Sequence, residues 1–180
     1  MREGHILLTG RPGIGKTTVV ERVLAALTSV EAGGFITREF RGPSSQRLGF
    51  EMDTLDGRRA VLAEVGLRSP YRVGKYGVNV EAIEAVGVPA IEGAIRHAGL
   101  IVIDEIGKME LLSSQFRAAV LDALCAPKPV LATIPSRPHP FTDMLKQRPD
   151  ATLIEVTQST RDRLPADICA RLAGEHCARL

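Results

Sequence analysis

Apolar and polar positions follow two different periods along this chain, and the switches between them mark its elements. His5-Ile6-Leu7-Leu8-Thr9 is an apolar run of strand length, followed by a glycine-rich stretch and then by Val20, Val23, Leu24 and Leu27. Their i, i+3, i+4, i+7 spacing predicts a helix with one apolar face on a sheet, ended by Glu31-Ala32-Gly33-Gly34. The period then drops to two. Phe35 to Phe40, Arg47 to Met52 and Arg59 to Ala63 are short strand-like runs, separated by Arg41-Gly42-Pro43-Ser44-Ser45 and by Leu55-Asp56-Gly57. Such turn chemistry predicts an antiparallel meander, inserted at about 34–64 before the next parallel strand and a candidate extension of the sheet edge.

Tyr71 to Gly77 reads as a loop carrying both tyrosines, Arg72 and Lys75; a phosphate-facing lid and a plain surface loop are equally compatible with it. Val80 to His97 is helical, with a kink predicted at Gly87-Val88-Pro89. Leu100 to Ile103 is a continuous apolar run, as in a parallel strand buried on both faces, and it ends in Asp104-Glu105. A helix over Ser113 to Ala126, a strand over Pro129 to Ile134, a helix ending by Pro149, a strand over Thr152 to Val156 and a closing helix from about Pro165 complete the chain. Strands alternating with helices predict an α/β fold with a largely parallel sheet, formed by one domain over residues 1–180.

Composition narrows the function classes. With 23 basic and 21 acidic residues the net charge is +2, which gives no electrostatic footprint for nucleic acid. No apolar stretch approaches the ~20 residues that span a bilayer, and Met1-Arg2-Glu3-Gly4 before a short strand is unlike a signal peptide. A cytoplasmic protein with no membrane partner is expected. Cys125, Cys169 and Cys177 include no C-x-x-C pair, so reduced thiols are expected. His5, His97, His139 and His176 lack i,i+4 ligand spacing.

The chemistry lies in Gly10-Arg11-Pro12-Gly13-Ile14-Gly15-Lys16-Thr17, with Thr18 next in line. This is G-x-x-x-x-G-K-[ST] in its required strand-loop-helix setting, the phosphate-binding loop of P-loop NTPases. Glycines let backbone N–H groups converge on an anion, and the helix start adds unpaired donors and a positive dipole end. Lys16 can reach the β- and γ-phosphates of a nucleotide, and the Thr17 hydroxyl can ligate Mg²⁺. Asp104 falls at the carboxyl edge of the sheet, where α/β folds bind ligands, as a second-sphere or direct Mg²⁺ carboxylate. Glu105 is placed to orient or deprotonate a water. Thr133 ends the following strand at the same edge, either sensing a phosphate or water or capping a turn. Arg161 or Gln158, after the last strand, could meet a base; a salt-bridged surface arginine is the alternative.

Three functions fit these residues. Hydrolysis of a nucleoside triphosphate follows from the Asp104-Glu105 pair. A small kinase would need an acceptor pocket and a basic lid, for which Arg72, Lys75 and Arg137 are available. A guanine-specific switch needs N-K-x-D, and Asn79 is the only asparagine, which leaves an ATP-driven adaptor as the third possibility.

The ordered set of Gly10 to Thr17, Gly34 to Glu39, Arg72 to Tyr76, Leu100 to Gly107 with Met109-Glu110, and Thr157 to Pro165 resembles the small nucleoside-triphosphatase family of thermophilic archaea and bacteria and its human cancer-related homologues. The resemblance implies a RecA-like three-layer α/β/α core and Mg²⁺-dependent hydrolysis of ATP, GTP and other nucleoside triphosphates with low base preference. It implies Lys16 and Thr17 as phosphate and metal contacts, Asp104 as the metal carboxylate and Glu105 as the base; separately, a monomer is expected. Thr160-Arg161 stands where that family leads one to expect Asn-Arg, which makes broad base tolerance the expectation.

Overall fold

The computed structural model describes residues 4–177, so Met1-Arg2-Glu3 lie outside the described residues, as do the side chains of His176 and Cys177. Nine strands form one sheet: β1 (His5–Thr9), β2 (Ala32–Arg41), β3 (Arg47–Thr54), β4 (Arg59–Val65), β5 (Arg72–Val73), β6 (Tyr76–Val78), β7 (Leu100–Asp104), β8 (Val130–Thr133) and β9 (Ala151–Glu155). Their spatial order is β5-β6-β4-β3-β2-β7-β8-β1-β9. Pairing from β2 through β9 is parallel and from β5 through β2 antiparallel.

Helices α1 (Lys16–Ala26) and α6 (Leu164–Cys177) pack on one face, where Val19, Val20, Val23, Leu164, Ile168 and Leu172 meet Leu8, Val102 and Leu131. On the other lie α3 (Val88–His97), α4 (Ser114–Cys125) and α5 (Pro140–Lys146), with Ile91, Phe116, Val120 and Leu145 against Leu7, Phe35 and Ile103. Strand residues alternate between the two cores, as a sheet covered on both faces requires. The phosphate-loop strand β1 and the carboxylate strand β7 flank β8, the RecA-like arrangement expected above.

Two expectations need correction. The first helix stops at Ala26, and Ala32-Gly33-Gly34 open β2 instead of ending α1. The glycines serve close approach: a Cβ on Gly34, whose φ is +113°, would stand 1.9 Å from Val102 O, and one on Gly33 2.9 Å from Ala94 Cβ. The antiparallel meander extends the edge of the central sheet, as its turn chemistry allowed. β2 pairs in parallel with β7 through Ala32 to Ile36 and antiparallel with β3 through Phe35 to Arg41, so one strand serves both halves. Second, Tyr71 to Gly77 is largely a hairpin, β5 and β6, at the sheet end farthest from β1 and β9. Arg72 donates to Lys75 O at 3.1 Å, and Lys75 lies 5.4 Å over the Tyr76 ring. These cations are engaged within the hairpin and are not poised over the phosphate loop.

The predicted kink is present. Val80–Ala82 (α2) is capped by Asn79, Ile83–Gly87 is a π turn, and α3 follows with Pro89 in its first turn. Pro89 has no N–H to continue the α ladder, and a Cβ on Gly87 would lie 2.8 Å from Met52 Sδ. Glu84, in the π turn, accepts from the Ser113 hydroxyl at 2.8 Å, while Ser113 caps α4.

Candidate active site

The loop joining β1 to α1 takes its shape from glycine. Gly10, Gly13 and Gly15 have φ of +150°, +76° and +110°. At Gly10 there is also no room, since a Cβ would lie 2.7 Å from Val156 O. Gly15 is the N-cap of α1, which has no side-chain cap and no acidic residue in its first turn. The first α-helical bond runs from Val19 N–H to Gly15 O at 3.0 Å, so the N–H groups of Lys16, Thr17 and Thr18 have no intrahelical acceptor. By contrast, α2, α4 and α5 are capped by Asn79, Ser113 and His139. Arg11 and Pro12 are exposed at the loop tip, Ile14 packs toward the α1 core, and Lys16 is 9% exposed with Nζ 3.5 Å from Gly10 O.

Sheet register brings the carboxylates to this loop. Leu8 pairs with Thr133, and Ile103 with Ala132, so Asp104, Thr133 and the end of β1 share one edge. Asp104 is 2% exposed and Thr133 fully buried. The Thr133 hydroxyl donates to Asp104 Oδ1; it neither caps the turn nor stands free. Burial pushes the Asp104 carboxyl up to about 6, opposed by hydrogen bonds from Thr133 and Thr17, aided by the Glu105 charge and opposed again by Lys16. Oδ2 of Asp104 is buried without a partner. Glu105 is half-buried, and the peptide joining it to Asp104 is cis. Ile106 N–H bonds Thr133 O at 2.9 Å, fixing the segment beyond the carboxylates to β8.

Among the described residues no group of three or more His, Cys, Asp or Glu side chains could hold a metal. Thr17 and Asp104 remain, both hard oxygen donors, with Asp104 Oδ2 unclaimed. This fits a Mg²⁺ ion, which keeps waters and takes one or two carboxylates plus phosphate oxygens.

Of the other candidates, Arg161 donates to Ile14 O at 3.4 Å and its Cδ lies 3.9 Å from a Cβ built on Gly15. It rests on the phosphate loop and is not a surface ion pair; its neighbour Asp162 pairs with Arg22 instead. Gln158 and Arg137 are exposed. One functional candidate had no role read from sequence: Glu110, 3% exposed, beside Glu105 in the turn after β7. Its signal was a lone acid between Met109 and Leu111-Leu112.

A glycine-built anion loop at the start of α1, facing a buried Asp and its neighbouring Glu across an intervening strand, defines a P-loop NTPase. A family model described as NTPase matches residues 5–169. The chain is 47% identical over 163 residues to a nucleoside-triphosphatase THEP1 of Thermotoga petrophila, covering 91% of this chain and 89% of that one. It is 38% identical over 179 residues to the human cancer-related nucleoside-triphosphatase, covering 91% and 94%. The crystal structure of THEP1 from Aquifex aeolicus superposes with a TM-score of 0.85 at 39% identity, covering 93% of this chain and 98% of that one. The chain belongs to this nucleoside-triphosphatase family, enzymes of the hydrolase class.

Proposed function

We propose that the protein hydrolyses nucleoside 5′-triphosphates to the diphosphate and phosphate, with Mg²⁺ and with low base preference. The observation that carries this reading is the placement of Asp104 and Glu105 at the sheet edge that also bears the phosphate loop, with Thr133 between the strands. The unpaired N–H groups at the start of α1 bind the phosphates, and Lys16 offsets their charge. Thr17 and Asp104 would hold the metal, which would supply neutralisation of the triphosphate's charge. Glu105 takes a proton from water as its oxygen bonds to the γ-phosphorus and the bond from that phosphorus to the β–γ bridging oxygen breaks. The diphosphate leaves with the bridging oxygen, so atoms and charge balance. Arg161 offers a planar guanidinium beside Gly15, a contact that any base could stack on, which supports broad tolerance.

A kinase reading is less supported, because Arg72 and Lys75 sit in the distant hairpin. The described residues include no helix long and apolar enough to cross a membrane, and the free thiols of Cys125 and Cys169 suit a reducing cytoplasm.

The test is phosphate release from ATP, GTP, CTP and UTP with Mg²⁺ and no added acceptor, beside Glu105→Gln. Comparable release from all four, lost in the variant and on chelation, is expected. Tight Mg²⁺-dependent binding without release would overturn hydrolysis in favour of transfer to an acceptor.

A further inference from the structure

Glu110 is a buried carboxyl in the turn that follows the Asp104-Glu105 pair. It lies in the 3₁₀ turn Glu110–Leu112 between β7 and α4, 3% exposed. Among the described residues no cation forms an ion pair with it. Its Oε2 accepts the Gly107 N–H at 3.2 Å. The turn is already closed by backbone bonds, Leu111 N–H to Gly107 O at 3.0 Å and Ser113 N–H to Glu110 O at 3.1 Å. A neutral side-chain amide could accept the same backbone N–H groups, those of Gly107 and of Glu110 itself, and a buried carboxyl is costlier than a neutral acceptor, so capping the turn does not by itself account for an acid here.

What the carboxyl does face is Glu105. A Cβ built on Gly107 would lie 2.9 Å from Glu110 Oε2 and 3.4 Å from Glu105 Oε1. Both acids therefore converge on the space that Gly107 leaves empty. We propose that Glu110 is a positioning residue for hydrolysis, its carboxyl held by Gly107 N–H so that it fixes the orientation of Glu105 toward the attacking water. Burial, with the Glu105 charge adding to it, pushes the Glu110 carboxyl up to about 8. At neutral pH it keeps its proton, so it lies beside Glu105 with a donor to offer it. This inference rests on Glu105 being the base. A displacement of about an ångström in such a group costs on the order of 100-fold in rate.

The experiment compares wild type, Glu105→Gln, Glu110→Leu, Glu110→Gln and Gly107→Ala. Phosphate release from ATP gives kcat and KM, and titration with a non-hydrolysable fluorescent triphosphate analogue and Mg²⁺ gives Kd. Glu110→Leu is expected to bind the analogue within about threefold of wild type and to lose at least tenfold in kcat. Glu110→Gln, whose amide can both accept from Gly107 and donate, is expected to recover most of that loss. Gly107→Ala forces a methyl between the two acids and is expected to lower kcat at unchanged Kd; it keeps the test open if Glu110→Leu does not fold. Wild-type kcat in Glu110→Leu or Gly107→Ala, equal losses in the Leu and Gln variants, or a kcat loss matched by lost affinity would each overturn the proposal. If Glu105→Gln turns over normally, the base assignment itself has failed and the proposal falls with it. An inactive Glu105→Gln beside fully active Glu110 and Gly107 variants overturns the positioning role alone.

Discussion

Glu110→Gln should remove a pH dependence from the protein's stability. The carboxyl has an ordinary value of 4.5 and is pushed up to about 8 in the folded chain by burial first and by the Glu105 charge second. Below 4.5 both folded and unfolded chains hold this proton. Between 4.5 and 8 the unfolded chain has released it and the folded chain has not, so stability falls as pH rises, by up to about 1.4 kcal/mol per pH unit. Above 8 this contribution is constant. Raising the pH from about 5 to about 7.5 should therefore cost the wild type roughly 3 kcal/mol through this group alone. Asp104, also pushed up, to about 6, titrates in both proteins and largely cancels in the comparison. Urea unfolding at the two pH values, in chelator to keep metal off Asp104, gives the difference of differences. If the fall in stability of the wild type exceeds that of Glu110→Gln by less than about 0.5 kcal/mol, Glu110 is ionised in the folded chain and the reasoning is refuted.

Lys16→Ala should weaken nucleotide binding, whereas Glu105→Gln should retain it and lose turnover by about 100-fold or more; equal loss of affinity in both variants, measured by fluorescent-nucleotide titration, would contradict these separate roles. Thr133→Val removes the donor to Asp104 Oδ1, leaves a buried carboxylate short of partners and should cost about 1–3 kcal/mol on thermal or urea unfolding, with weaker Mg²⁺-nucleotide affinity. Gly34→Ala places a methyl 1.9 Å from Val102 O at a positive φ, so loss of stability on the order of 3 kcal/mol or more, or failure to yield folded protein, is expected from the same assay.

Short-range spacing was enough to read much of this protein. The phosphate loop needs its glycines, Lys16 and Thr17 within eight consecutive residues, and the Leu100 to Glu105 run carries both the buried strand and its terminal carboxylates. The kink near Pro89 was equally legible, because a missing N–H acts on its own helix; its form as a π turn was not. Gly33-Gly34 was misread for a physical reason: a glycine pair stops a helix locally, yet here it exists to let Val102 and Ala94 come close, contacts made with residues about sixty positions away. The hairpin of β5 and β6 has its turn chemistry at Gly74-Lys75, but nothing local says that it lies at the sheet edge remote from β1. The sequence by itself determined which groups could bind a phosphate and a metal and which could activate water. Only the tertiary structure decided that Thr133 is spent on Asp104, that Arg161 rests on the phosphate loop, and that Glu110 and Glu105 converge over Gly107. Those are meetings of side chains across strands and turns, set by sheet order and packing, and no periodicity along one segment encodes them.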